Sequence, residues 1–404
     1  MITPKTLTKR GAASLFIVIF TIILLGVITL GFTRLILSES SQSSNNDLSQ
    51  SAYDSALAGV EDAKVAILKY HDCLSKGYNA TSSGSAEAVA CAKIIKAMQE
   101  GMNNQDCDVV SNVLGRNNGD GEVTIQEGQE NGNNMNQAYT CVTIQETLND
   151  FRSTLGGSAD KRQQVVPIRT SDINGIQTLE VKWFSNENNS SNNIKPNQDG
   201  KLAPLGNEQH IPLLALQIFQ TDVNFTLSEL STSRDGQQTD HAALYLQPVN
   251  EGTAGASDNI SVAEVAATSD KSSNQPFLVP CSSSKASSNG GFYCSATIEF
   301  PKPWDHDGNV NNRNNDTTFL IISLPYGQPE ADVSIALKGS GGNTIPFIGS
   351  QARVDSTGRA NNLYRRVESR IDLVNRGFPY PEFAIQMSND SGSSINKNIE
   401  VISD

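Results

Sequence analysis

No proline occurs between residues 5 and 166, so nothing in that stretch forces a helix to kink or stop. Residues 12–32 contain no charged side chain, which excludes a solvated surface helix there. Histidine is limited to His71, His210, His241 and His306, in unlike local surroundings. The chain holds no G-x-S-x-G elbow, no H-E-x-x-H, no G-x-x-x-x-G-K, no C-x-x-C and no repeat of fixed period. Nucleophilic, zinc-hydrolytic and phosphate chemistry therefore lack their usual carriers, and the chain reads as a non-enzyme. Positive charge is in deficit, with 30 Lys and Arg against 43 Asp and Glu and a formal net charge of −13. That balance excludes nucleic acid as an electrostatic partner of the bulk surface. One local concentration of positive charge beyond the span is Arg353, Arg359, Arg365, Arg366 and Arg370, read as solvated charges on a pair of strands.

What is present starts with Ala12–Phe32, AASLFIVIFTIILLGVITLGF. About twenty apolar residues cross a hydrocarbon core of ~30 Å, so the run is long enough for a transmembrane helix. It is also longer than the apolar region of a secretory signal peptide, and no small-x-small cleavage site follows it. Lys5, Lys9 and Arg10 precede it with no opposing acid, which places the N-terminus in the cytoplasm and residue 34 onward outside. Beyond the span, Leu48, Ala52, Ala56, Val60, Ala63, Ile67 and Tyr70 recur at steps of three and four. This is one narrow stripe on a polar helix. A continuous helix from Ala12 to Tyr70 would run roughly 88 Å, and its second half must lie on a globular domain.

Lys9-Arg10-Gly11, the apolar run and its amphipathic continuation resemble the class III signal of type IV prepilins. The segment Ala56, Ala58, Gly59, Glu61, Asp62, Ala63 (A-x-A-G-x-E-D-A) is similar in particular to the end of the helix in PilX-type minor pilins. The resemblance covers about residues 8–68. It implies cleavage by a prepilin peptidase after Gly11, with Ala12 as the mature N-terminus; the processing residues are then Lys9, Arg10, Gly11 and Ala12. Loss of the leader with its three positive charges takes the net charge from −13 to −16. The resemblance also implies partners: other pilin subunits through the N-terminal helix, and the inner membrane before assembly. Major pilins carry Glu at the fifth mature position, where it pairs with a neighbour's amine. Counting from Ala12, that position is Phe16 here. A buried amine without its carboxylate is costly, so this chain is a poor candidate for a repeating shaft.

Six cysteines, Cys73, Cys91, Cys107, Cys141, Cys281 and Cys294, all follow the span, as expected for disulfides in an oxidising compartment. Spacing alone cannot settle the pairing of six cysteines. Cys281 and Cys294 flank a Ser/Gly-rich loop between apparent strands and are the first pair; Cys73–Cys91 and Cys107–Cys141 follow as nearest neighbours.

The division read from sequence is a leader (1–11), the transmembrane and amphipathic helix (12–70) and a cysteine-bearing, partly helical region (71–137). A β-rich extracellular domain (138–384) and a polar tail (385–404) complete it. Within the third part, 86–102 is helical, with Val89, Ile94, Ile95 and Met98 as apolar members and Gly101 as its stop, while 115–137 reads as loop. From about Tyr139 the period changes to two. The clearest strand is Tyr364–Leu373, in which Arg365, Val367, Ser369, Ile371 and Leu373 alternate with Tyr364, Arg366, Glu368, Arg370 and Asp372. Just before it, Ser356-Thr357-Gly358-Arg359 resembles the turn of the closing hairpin in pilin-like proteins, with Gly358 free to take a positive φ.

Asp305, Asp307, Asn309, Asn311 and Asp316 place oxygen side chains at calcium-loop spacing, and calcium is the one cofactor the sequence offers. Val310 stands where the loop's glycine belongs and Asp316 where its longer Glu belongs, which favours a solvated hairpin loop. A weaker acidic turn spans Asn117–Glu122.

The fold class expected is α+β: a pilin-like long N-terminal helix with a large, mostly antiparallel β C-terminal domain. The expected role is a minor subunit of a type IV pilus or related filament, in assembly priming or adhesion, with a host-cell surface ligand for the adhesive role. It would be a single-pass membrane protein before assembly and extracellular afterwards. The alternatives are a permanently anchored single-pass adhesin or receptor, and a type II secretion pseudopilin.

Overall fold

A computed structural model of the chain describes residues 11–116, 122–126, 136–158, 161–168, 176–189, 193–196, 210–221, 241–261, 276–284, 290–299, 317–325 and 329–373. The architecture is α+β. Helix α1 (Gly11–Ser75) is uninterrupted over 65 residues, about 98 Å at the standard rise. Its stop follows from Gly77 at φ +80°, with Tyr78 N–H returning to the Cys73 carbonyl, an end that only glycine takes without strain. Along its second half Ala52, Ala56, Val60, Ala63, Ile67 and Tyr70 are buried, the stripe that the spacing predicts.

Two shorter helices cover the end of α1. Helix α2 (Ala86–Asn104) starts at Ser85, whose Oγ accepts the Ala88 N–H at 3.0 Å, an N-cap that satisfies one of the orphan amides. It buries Ala88, Cys91, Ala92, Ile95, Met98 and Gly101. Val89 instead lies on the exposed side. Gly101 does not end this helix: a Cβ there would overlap Val109, so glycine is needed for the close approach of α3 (Val109–Leu114). The helix runs on to Asn104, and Gln105 takes the left-handed conformation.

The β part forms two sheets. The small sheet is antiparallel in the order β1 (Val123–Gln126), β2 (Gln137–Leu148), β14 (Phe347–Ala360), β15 (Leu363–Asp372). Thus β1 falls in the stretch read as loop. Between the neighbours β2 and β14 the chain leaves to build the second sheet. Its strands are β3 (Phe151–Leu155), β4 (Gln163–Ile168), β5 (Ile176–Ser185), β6 (Leu214–Thr221), β7 (His241–Asn250) and β8 (Asn259–Ile260), followed by β9 (Phe277–Cys281), β10 (Phe292–Glu299), β11 (Thr317–Ser323), β12 (Ala331–Gly339) and β13 (Thr344–Ile345). All eleven belong to one sheet, ordered β13-β12-β5-β10-β9-β7-β6-β11-β4, with β3 beside β12 and β8 beside β10. Among the described strands only β7–β9 and β8–β10 pair in parallel.

Each sheet has its own core. Val142, Ile144, Ala352 and Val354 of the small sheet meet Val60, Ile67, Ile95 and Met98 of the helices. Inward residues of the large sheet surround Trp183 and Phe184, and the Trp183 indole N–H donates to the Pro212 carbonyl at 3.1 Å. Fully burying an aliphatic side chain of this size contributes ~1.5–3 kcal/mol, so both cores are substantial.

Three disulfides are present, each between cysteines adjacent in sequence order. Cys73–Cys91 fastens α2 to α1, and Cys107–Cys141 fastens the α2–α3 connection to β2. Cys281–Cys294 joins β9 to β10. Those two strands share a single register pair, and it is the cystine itself.

Candidate functional site

The first half of α1 presents its side chains to the outside. From Phe16, 74% exposed, to Leu37 every large apolar side chain is uncovered. Its most apolar stretch has a mean hydropathy of 2.7, long and apolar enough to cross a membrane. The polar groups within it are self-satisfied. Thr21, Thr29 and Thr33 donate back to the carbonyls of Ile17, Leu25 and Thr29 at 2.8–3.0 Å, as a helix in hydrocarbon requires. Lys9 and Arg10 lie outside the described residues. Gly11 opens α1 and Ala12 follows it in the helix.

The second half of α1 carries the segment Ala56, Ala58, Gly59, Glu61, Asp62, Ala63, and its partner is the Ser356–Arg359 stretch. The latter is not a turn. It lies within β14, opposite Val367 to Tyr364 of β15, and the hairpin instead closes at Asn361, φ +50°. Gly358 is a close-approach glycine: a Cβ there would overlap the Ala52 carbonyl oxygen and the Ala56 nitrogen of α1. The need is reciprocal. A Cβ on Gly59 would overlap Ser356 Oγ and stand 2.9 Å from Val142. Two short stretches nearly three hundred residues apart are thus the two faces of one helix–sheet contact.

Asp62 closes the same contact at its edge, accepting the Tyr139 hydroxyl at 2.9 Å and pairing with Arg116. Burial, then the hydrogen bond to Asp62, push the Tyr139 phenol well above its ordinary pKa, so it stays a neutral donor. Glu61 makes only a surface pair with Lys64.

The five arginines near the end of the chain do not form a free basic patch. Arg353 donates to Gln145, Arg359 to Glu122, Arg365 to Ser49 and Arg366 to Asp355, and Arg370 donates to Asp150. Glu122, the last residue of the weaker acidic turn, is therefore held by Arg359; residues 117–121 lie outside the described residues. His71, beside Cys73, contacts Glu146 at 3.1 Å.

Asp305, Asp307, Asn309, Asn311 and Asp316 lie outside the described residues. The strands that flank them, β10 and β11, do not pair with each other: β10 pairs with β5, β8 and β9, and β11 with β4 and β6. Among the described residues no group of three or more His, Cys, Asp or Glu could hold a metal ion.

A groove of about 900 Å³ opens between β15 and the large sheet, lined by Lys64, Arg152, Lys161, Arg370, Asp332 and Asp372 among others. Its charges are of both signs. None of the described lining residues is a histidine or cysteine, and the Ser185 hydroxyl is engaged with Asp332 at 2.6 Å. No family model, curated protein or solved structure matches this chain.

Proposed function

We propose that the protein is a minor, pilin-like subunit of a type IV pilus or related filament, acting by docking rather than by chemistry. The observation that carries this reading is α1: one helix passes without a break from a wholly uncovered apolar half into a half seated on a four-stranded sheet. Such a helix can be held by a bilayer before assembly and by the helices of other subunits afterwards. The positive leader sets the N-terminus in the cytoplasm, and the three disulfides suit an extracytoplasmic domain. Processing after Gly11 by a prepilin peptidase belongs to the same reading.

Phe16 and the inserted sheet support a low copy number. An unpaired amine repeated at every shaft interface would be costly, whereas one or a few copies at a tip would not. The large sheet, carried as an insertion between β2 and β14, is the part available for an adhesive ligand on a host surface or for priming contacts. Immunogold labelling of isolated filaments tests the assignment. Sparse label at filament ends is expected; dense label along the shaft, or none on filaments, would contradict it. The second outcome would favour the permanently anchored adhesin or receptor.

A further inference from the structure

The junction between the two sheets holds a side chain whose hydrogen-bonding capacity is completely used. Opposite Glu146 of β2, β14 carries four residues, Gly349 to Ala352, before pairing resumes at Arg353. Gly349 takes φ +66°, and the bulge turns Ser350 and Gln351 toward the large sheet. Ser350 Oγ donates to the Pro167 carbonyl of β4 at 2.7 Å. The Gln351 side chain reaches β3 at the other end of the sheet order. Its Oε1 accepts the Arg152 N–H at 3.3 Å and its Nε2 donates to the Arg152 carbonyl at 2.7 Å. An amide bonded to both main-chain groups of one residue occupies the place a neighbouring strand would take.

The remaining valences of Gln351 go to the small sheet. Oε1 also accepts from Arg370 at 3.2 Å and Nε2 also donates to Asp372 at 2.9 Å, both on β15. Two acceptances and two donations exhaust the amide, and they fix which end is oxygen, since exchanging the two ends would set donors against donors. The residue is 2% exposed. Asp150, in the connection from β2 to β3, bridges the same elements, receiving Arg152 on one oxygen and Arg370 on the other.

We propose that Gln351 is a latch: it seals the outward edge of β3 with a surrogate strand and fastens the inserted sheet to the helix-bearing sheet as one body. Left unsealed, the β3 edge would be open to pairing with other chains. A leucine at this position keeps the bulk and loses all four bonds.

Hydrogen exchange on the full chain in detergent, resolved to single amides, tests this. In antiparallel pairing the Arg152 and Thr154 amides face the same way, but only the first meets Gln351. In the unmodified protein the Arg152 amide should exchange about tenfold more slowly than that of Thr154. In Gln351→Leu that difference should vanish, with Lys182 and Ser334 in the β5–β12 pair unchanged, and the variant should sediment as larger species than the unmodified protein. Equal rates at Arg152 and Thr154 in the unmodified protein overturn the seal even if the variant fails to fold. A folded variant with Arg152 still protected, or with unchanged sedimentation, overturns the latch.

Discussion

Gly358 of β14 lies against the backbone of α1 at Ala56 with no space between them for a Cβ. Both opposing atoms there are main chain, so neither can rotate away. Gly358→Ala must push the helix off the sheet, at a cost of about 1–3 kcal/mol or more. Gly59→Ala meets a side-chain atom first, Ser356 Oγ, and gains ~1 kcal/mol of helix propensity. Thermal unfolding of the full chain in detergent should therefore rank Gly358→Ala as the more damaging. Ser356 Oγ is buried with no hydrogen-bond partner among the described residues, so Ser356→Ala should be nearly neutral and should rescue Gly59→Ala in part, with Val142 still 2.9 Å from the new Cβ. Equal damage from the two glycine variants, or no rescue, would contradict this geometry.

The Cys281–Cys294 bond takes the place of a ladder between β9 and β10. Because those strands share only the cystine's own register pair and a flanking hydrogen bond from the Ser282 N–H to the Tyr293 carbonyl, removing the disulfide leaves little to hold β9 to β10. The double variant Cys281→Ala, Cys294→Ala should lose about 2–4 kcal/mol. Exchange should rise at β9 while the α1–small-sheet body stays protected. A stability loss under about 0.5 kcal/mol, the size of an ordinary surface substitution, would contradict the role given to this bond.

Acid should weaken the joint between the sheets only at low pH. Burial opposes the Asp150 charge, but the hydrogen bonds and charges of Arg152 and Arg370 outweigh it and hold its carboxyl below the ordinary value. Because its folded pKa is depressed, the stabilisation is fully present above the unfolded pKa of ~3.9 and is lost as pH falls through the folded value. Glu180, likewise buried but held by Lys182 and Lys338, adds a loss of the same sign. The gap between the unmodified protein and Asp150→Asn should be about 1–3 kcal/mol at pH 7, and it should close below about pH 4. Closure between pH 7 and 6 would mean that a different group governs the joint.

Much of α1 is legible in the sequence because its two demands leave separate marks: an unbroken apolar run, then a stripe at period 3.6. Strand β15 is legible for the same reason at period two. Strand β14 is not. Facing the helix it places Ala352, Val354, Ser356, Gly358 and Ala360, small residues chosen by closeness, so the hydrophobic alternation that marks a strand is absent. Read alone, Ser-Thr-Gly-Arg looks like a turn; only its partner, the α1 backbone at Ala52 and Ala56, explains its glycine. The insertion of the large sheet is equally hidden, since β2 and β14 pair across the whole of it and no local pattern records so distant a pairing. Gln351 sits among Gly349, Ser350 and Ala352, and nothing in that neighbourhood announces a latch.

The mass of the N-terminal peptide of the mature protein tests the central claim most directly. The pilin-like reading predicts a chain beginning at Ala12, and a membrane-bound, unassembled precursor when Gly11 is replaced by valine. A mature chain that still carries Lys9 and Arg10, or a Gly11→Val variant of normal mature size, would contradict it.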